Sequence, residues 1–278
     1  MIEQTIREIE DQLKIKRYAP STCKTYLSFL RKFFYFHNIE PEHLTELDVK
    51  PFIQLLMETG LSHSTQNQAI NAIKFYFEKV RMEPTSVYYF DRPRKQVDLP
   101  TILSKSEIKK ILEGIINLKH KSMISLIYAC GLRAGELVAL ELKDIDSDRM
   151  VIAIRKAKGN KDRIVPLSQK ILELLRAYYR EFRPKQYLFQ GEGERPLPYS
   201  LSSLRKILKR AALRAGIKKN IRLHTLRHSY ATHLLESGVS LRHIQLILGH
   251  NSSRTTEIYT HVSKTELCNI KSPIEDLL

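Results

Sequence analysis

Residues 148–167 read DRMVIAIRKAKGNKDRIVPL, and they carry the one clear strand signal in the chain. Two short β-branched runs, VIAI and RIVP, flank the segment KGNK, so a hairpin turning at Gly159–Asn160 is the economical reading. Elsewhere the apolar residues recur at helical spacing. The hairpin therefore decides the fold class: mainly α with a small antiparallel β-sheet, rather than all helix.

Working outward, KSMISLIYACGLRAGELVALEL (121–142) reads as an apolar helix, a break at Gly131 and a second helix. SKSEIKKILEGI (104–115) opens with Ser104 and Glu107 in capping-box register. After the hairpin, helices are expected at about 168–182, 200–215, 225–237, 240–248 and 252–262, with a short one near the terminus. The segment DRPRKQVDLP (91–100) is basic and bracketed by prolines, which makes it the interdomain linker. Two domains follow, 1–90 and 101–278.

The first domain reads as helices alone. STCKTYLSFLRKFFYFHN takes Ser21 or Thr22 as its N-cap and sets Tyr26, Phe29, Leu30, Phe33 and Phe34 at helical spacing. STQNQAINAIKFYFEKV, from Ser64, turns Ile70, Ile73 and Phe77 inward. Both aromatic stripes read as bundle core rather than a cofactor site. The polar starts are candidate phosphate contacts: Thr22, Lys24 and Thr25, then Ser64, Gln66 and Asn67, each set near a helix N-terminus. Arg92, Arg94 and Lys95 in the linker are candidates to follow a nucleic-acid backbone. Capping and an ordinary solvated linker are the plainer readings of the same residues.

Composition bounds the partner. The 278 residues are 42% hydrophobic and 27% charged, as in globular proteins. No apolar run is long enough to cross a bilayer and no signal peptide is evident, so no membrane role is expected. Three separated cysteines, Cys23, Cys130 and Cys268, fit a reduced, cytoplasmic setting. Net charge is +16 and unevenly spread: residues 1–97 hold 14 Lys/Arg against 12 Asp/Glu, and residues 98–278 hold 32 against 18. A basic excess concentrated in one domain is an electrostatic footprint for a polyanion, with nucleic acid foremost.

The stretch LHTLRHSYATHLLESG (223–238) crowds three histidines and an arginine onto one helix. At 100° per residue His224, Arg227 and His228 share a face, while Leu226, Tyr230 and Leu234 form an apolar stripe. A metal held by His224 and His228 is disfavoured, because the helix lacks the glutamate of a zinc-protease motif and Arg227 would repel a divalent ion. Arg133 follows the glycine break with Glu136 one turn on, a plausible helix pair. Lys158 lies at the lip of the hairpin turn, between Lys156 and Lys161. His250 follows Gly249, and Tyr259 comes nine residues later. Singly, these positions have structural explanations.

Taken in order, GLRAGEL, KGNK, HTLRHSYATHLL, LGH and YTHV resemble the tyrosine recombinases, or phage integrase family, and most nearly the Xer recombinases and short integrases. The resemblance extends over nearly the whole chain, with STCKTY and STQNQAINAIKFYF similar to the core-binding helices. It implies a two-domain DNA clamp, with a helical core-binding domain and a catalytic domain whose tail begins at about 264. It also implies Arg133 and Arg227 as the arginine pair, Lys158 as the hairpin lysine, His224 and His250 as the two histidines, and Tyr259 as the nucleophile. Glu136 takes the supporting acidic position. His228 and His233 match no catalytic position and are expected to be structural. No separate arm-type DNA-binding domain is expected ahead of the core-binding unit, which disfavours a reading as one of the larger integrases of the lambda type.

The chemistry agrees with that placement. Two guanidiniums suit the charge that grows on a phosphodiester under attack, and a tyrosine with a pKa of roughly 10 needs an electropositive pocket to act as a nucleophile. The resemblance implies a 3′-phosphotyrosyl intermediate and a Holliday junction, with no metal, ATP or other cofactor. The partners it implies are a double-stranded DNA recombination site and further copies of the chain in a tetramer. The tail is a candidate for exchange between protomers, and an accessory protein is left open. Two other readings are a type IB topoisomerase and a non-catalytic regulator using VSLRHIQLILGHNSSRTTEIYTHV as a helix-turn-helix.

Overall fold

The computed structural model describes residues 1–84, 99–155, 162–191, 193, 195–250 and 252–260. The chain forms two compact units, 1–97 and 98–278. In the first, helices α1 (Ile2–Ile15), α2 (Pro20–His37), α3 (Val49–Glu58) and α4 (His63–Phe75) surround one apolar core, and α4 runs on into a π-helical turn, Tyr76–Val80. Phe29, Leu30, Phe33 and Phe34 of α2 are buried together with Ile70, Ile73 and Phe77, so the aromatic stripes are core. The rings meet edge to face, Phe33 with Phe52 at 5.3 Å and Phe34 with Tyr76 at 5.0 Å between centroids. That is the arrangement ring quadrupoles favour.

Both polar helix starts differ from the sequence expectation. The N-cap of α2 is Ala19 and Pro20 is the first helical residue. Proline fixes φ for a helix and lacks only an N–H that the first turn leaves unpaired, so it starts the helix ahead of Ser21 and Thr22. Thr25 instead donates its hydroxyl to the Ser21 carbonyl at 2.9 Å. In α4 the cap is Ser62, whose Oγ accepts from the Thr65 N–H. Ser64 is exposed, but Gln66 turns inward and donates Nε2 to the Leu61 carbonyl at 2.8 Å. The Gln66 amide is therefore not displayed beside Ser64.

The second unit contains α5 (Lys105–Glu113), α6 (Leu118–Cys130), α7 (Ala134–Ala139), β1 (Ile145–Asp146), β2 (Val151–Ile154), β3 (Arg163–Pro166), α8 (Gln169–Phe182), α9 (Leu201–Arg214), α10 (Leu223–Glu236), α11 (Leu241–Leu248) and α12 (Arg254–Glu257). The sheet is antiparallel in the order β1-β2-β3, with Val151 opposite Pro166 and Ile154 opposite Arg163. Ile152, Ile154 and Val165 face the core. Strand β1 has two residues, too few for a periodic signal, and pairs Ile145 with Ile152. The Gly159–Asn160 turn, with Lys158, lies outside the described residues, as do Arg92, Arg94, Lys95 and everything after Thr260.

The capping box at Ser104 forms as expected, with Ser104 Oγ accepting from the Glu107 N–H and Glu107 accepting from the Ser104 N–H at 2.7 Å. Helices α6 and α10 pack on one another at the centre of the unit. The expectation for α10 was a cationic face beside an apolar stripe. Leu226 is 1% exposed and Arg227 is 0% exposed, so the arginine goes inside with the apolar stripe, while His228 is half-buried and His224 exposed. Among the described residues no helix is long and apolar enough to cross a membrane.

Candidate active site

Helix α6 ends at Gly131 in the left-handed region, and the chain turns through Leu132 so that Arg133 becomes the N-cap of α7. Glu136 folds back on this start. Its carboxylate accepts from the Arg133 backbone N–H at 2.7 Å and from Arg133 Nη1 at 2.8 Å. From β3, Arg163 donates Nη1 and Nη2 to the two oxygens of the same carboxylate, at 2.8 and 2.7 Å. Arg227 Nη1 lies 3.9 Å from Glu136 Oε2. Burial by itself would raise the Glu136 pKa, but hydrogen bonds and charge from Arg163 and Arg133 hold it at about 2.

The same three arginines meet the C-terminal end of α11. Arg163 Nε donates to the Ile247 carbonyl at 2.7 Å, Arg227 Nη2 to Leu248 at 2.6 Å, and Arg133 Nη2 to Gly249 at 3.3 Å. Arg227 Nη1 also donates to the Gly131 carbonyl, at the end of α6. Unpaired carbonyls at helix C-termini carry negative partial charge, so two helix ends solvate a guanidinium that water does not reach. Burial and the Arg133 charge push the Arg227 pKa down to about 10, which leaves it cationic at neutral pH. Its Nε has no hydrogen-bond partner among the described residues.

Two glycines permit this approach. Gly249 has φ +63°, and a Cβ there would lie 2.8 Å from Arg163 Cδ. Gly131 has φ +60°, and a Cβ would sit 2.6 Å from the Tyr230 ring. Either side chain would wedge an element away from the arginines.

Tyr259 follows α12 and is 1% exposed, packed with Tyr230, Ala231, Ile244 and Leu248. Its hydroxyl is hydrogen-bonded to His228 Nδ1 at 3.1 Å. The His250 ring lies parallel to the Tyr259 ring, 6.4 Å between centroids and 20° between planes, and His250 Nδ1 pairs with the Thr256 hydroxyl at 2.9 Å. The His224 ring stands edge-on to His228 at 4.5 Å. Burial, aided by the neighbouring cations, lowers all three histidines, with His228 pushed down to about 4 and His250 to about 3. Burial lifts Tyr259 to about 12 against the opposing pull of Arg227 and Arg133. The site at neutral pH is a protonated phenol among neutral imidazoles, with guanidiniums within electrostatic reach.

Arg133, Glu136, His224, Arg227, His250 and Tyr259 thus converge from α7, α10 and the chain flanking α12. Lys158 lies outside the described residues. Thr22, Lys24, Thr25, Ser64, Gln66 and Asn67 belong to the other unit. Two contributors were missed. Arg163 stands in the opening quotation, read there only as strand; it shares a face with buried Val165, while Ile164 points outward. His228, expected to be structural, contacts the tyrosine hydroxyl. Its signal was the i, i+4 pairing with His224, set aside along with the metal reading.

Residues 101–266 match the phage integrase family, and residues 6–86 match the phage integrase N-terminal SAM-like domain. The chain is 34% identical to the tyrosine recombinase XerD of Oceanobacillus iheyensis, an alignment covering 96% of each protein. It is 32% identical to the tyrosine recombinase XerA of Pyrococcus horikoshii, over 94% of this chain and 90% of that protein. Among solved structures, the XerH site-specific recombinase in a post-cleavage complex with palindromic difH substrate superposes with a TM-score of 0.73. That similarity is at 27% identity, over 91% of this chain and 80% of the other.

Proposed function

Because the chain belongs to the phage integrase family of tyrosine recombinases, we propose that it is a site-specific recombinase that cleaves and rejoins double-stranded DNA through Tyr259. The observation that carries this reading is the meeting of Arg133, Arg227 and Tyr259, from three separate segments, around the C-terminal end of α11. In the reaction, the arginines donate to the nonbridging oxygens of the scissile phosphate as negative charge grows there. The Tyr259 oxygen attacks phosphorus and the 5′ oxygen leaves, protonated by Lys158 from the hairpin, giving a 3′-phosphotyrosyl enzyme. His224 and His250 add hydrogen bonds around the phosphate and assist the movement of the Tyr259 proton, which leaves the phenol as its oxygen bonds phosphorus. The stored ester lets a second strand's 5′ hydroxyl rejoin, so exchange through a Holliday junction needs neither metal nor ATP.

Residues 1–90 act as the core-binding domain and 101–278 as the catalytic domain, joined by the linker 91–100 into a clamp. Thr22, Lys24, Thr25, Ser64 and Asn67, with Arg92, Arg94 and Lys95, contact the DNA backbone, while Gln66 steadies its helix from within. The working assembly is a tetramer on paired sites in the cytoplasm, with tails from about 264 exchanged between protomers. Since Tyr259 is 1% exposed, DNA entry must uncover the hydroxyl before it can react.

The test is covalent trapping. Purified protein and Tyr259→Phe are incubated in EDTA with labelled, nicked duplexes from DNA flanking the gene, then resolved on a denaturing gel. Protein-linked DNA from the wild type alone is the expected result. Specific binding with no adduct, on duplexes nicked at every position of the bound site, would remove the reading.

A further inference from the structure

The Tyr259 hydroxyl has one hydrogen-bond partner among the described residues, and it is neither of the two histidines the family resemblance implies. His250 commits Nδ1 to the Thr256 hydroxyl at 2.9 Å, and its ring runs nearly parallel to that of Tyr259 at 6.4 Å between centroids. His224 sets its ring against His228 rather than against the phenol. Among the described residues only His228 Nδ1 is hydrogen-bonded to the Tyr259 oxygen, at 3.1 Å. With its proton on Nε2, the imidazole accepts from the phenol at Nδ1, the geometry a general base requires.

We propose that His228 is a further catalytic residue, the group that takes the Tyr259 proton during cleavage and returns it on rejoining. This rests on Tyr259 being the nucleophile. In cleavage the Tyr259 O–H bond breaks and its proton passes to His228 Nδ1. The phenolic oxygen bonds phosphorus, the bond from phosphorus to the 5′ oxygen breaks, and that oxygen leaves with a proton from Lys158. In rejoining, a 5′ hydroxyl attacks the phosphotyrosine and gives its proton to Lys158, while the departing phenolic oxygen recovers its own from His228.

The surroundings explain why the pair rests unreacted without DNA. Burial penalises the charged form of both partners, holding Tyr259 up at about 12 and His228 down at about 4, so the proton stays on the phenol. A scissile phosphate poised for attack lies about 3–3.5 Å from the Tyr259 oxygen, and so close to His228 as well. Its negative charge favours an imidazolium at His228, while Arg227 and Arg133 favour the phenolate. Both changes move the proton in the same direction.

The experiment is single-turnover cleavage of a nicked duplex by wild type, Tyr259→Phe, His228→Asn and His228→Ala, with a mobility-shift assay on each. Asparagine offers a hydrogen-bond acceptor near the Nδ1 position but no basicity. His228→Asn should bind as wild type does and cleave about a hundredfold more slowly. His228→Ala should be rescued by added imidazole, and across similarly sized substituted imidazoles the rescued rate should rise with their basicity. Cleavage by His228→Asn within about threefold of wild type, or rescue indifferent to basicity, would overturn the proposal. So would loss of DNA binding in both variants, which would mark His228 as a folding residue. An absent adduct from wild type itself would instead strike the Tyr259 reading beneath it.

Discussion

Glu136 is the residue on which three guanidiniums depend. Among the described residues it is the carboxylate that pairs with Arg163 and Arg133 and lies 3.9 Å from Arg227, and its side chain is 8% exposed. Glu136→Gln leaves those cations facing each other, and a loss of about 3–5 kcal/mol in unfolding free energy is expected from breaking a buried ion pair. The pH dependence has a definite sign. The folded pKa lies below the unfolded one, so the stabilisation is present above about pH 4.5 and is lost as pH falls through about 2. A shift of that size corresponds to on the order of 3 kcal/mol. Denaturant titrations between those pH values should show this acid-labile component in wild type and not in Glu136→Gln. Arg227→Lys makes the complementary test: an ammonium cannot span the Gly131 and Leu248 carbonyls and still present a fork to phosphate. Cleavage should fall at least about a hundredfold while DNA binding changes only a few-fold. The Arg133–Glu136 pair was legible because three residues on a helix start is a local distance. The role of Arg163 was not, because its partners at Glu136 and Ile247 are distant in sequence and only the fold brings them within reach.

Among the elements, the end of α11 matters most for its eight residues. Its last carbonyls are held by arginines from β3, α10 and the start of α7, so sheet and two helices share one junction at this helix end. Gly249→Ala should cost about 1–2 kcal/mol for the left-handed backbone alone. The new Cβ also meets Arg163 Cδ at 2.8 Å, so cleavage should suffer more than DNA affinity, measured by comparing adduct formation with mobility shift. Helix positions were largely legible, since apolar spacing and capping boxes act within a few residues. The misplaced start of α2 shows the limit: a Ser/Thr signal was weighed without the proline before it. The burial of Arg227 on α10 was hidden for another reason. Periodicity separates cations from apolar residues, but the carbonyls that let a cation go inside belong to other helices.

At the scale of the whole molecule, charge is divided as the proposed labour is. Residues 98–278 carry 32 Lys/Arg against 18 Asp/Glu, while residues 1–97 are nearly balanced, with 14 against 12. Affinity for DNA should therefore fall steeply with salt. Lys24→Ala in the full-length chain should weaken binding to target and unrelated DNA alike and lower the slope of log affinity against log salt by about 1. The shelter around Tyr259 has a chemical consequence for the protein in solution. Nitration by tetranitromethane requires access to the phenolate, and a covered phenol held near pKa 12 offers little of either. Exposed tyrosines such as Tyr35 and Tyr179 should be modified first. Peptide mass mapping before and after addition of a Tyr259-competent duplex would then time-stamp the moment at which DNA opens the shelter, independently of whether any strand is cut.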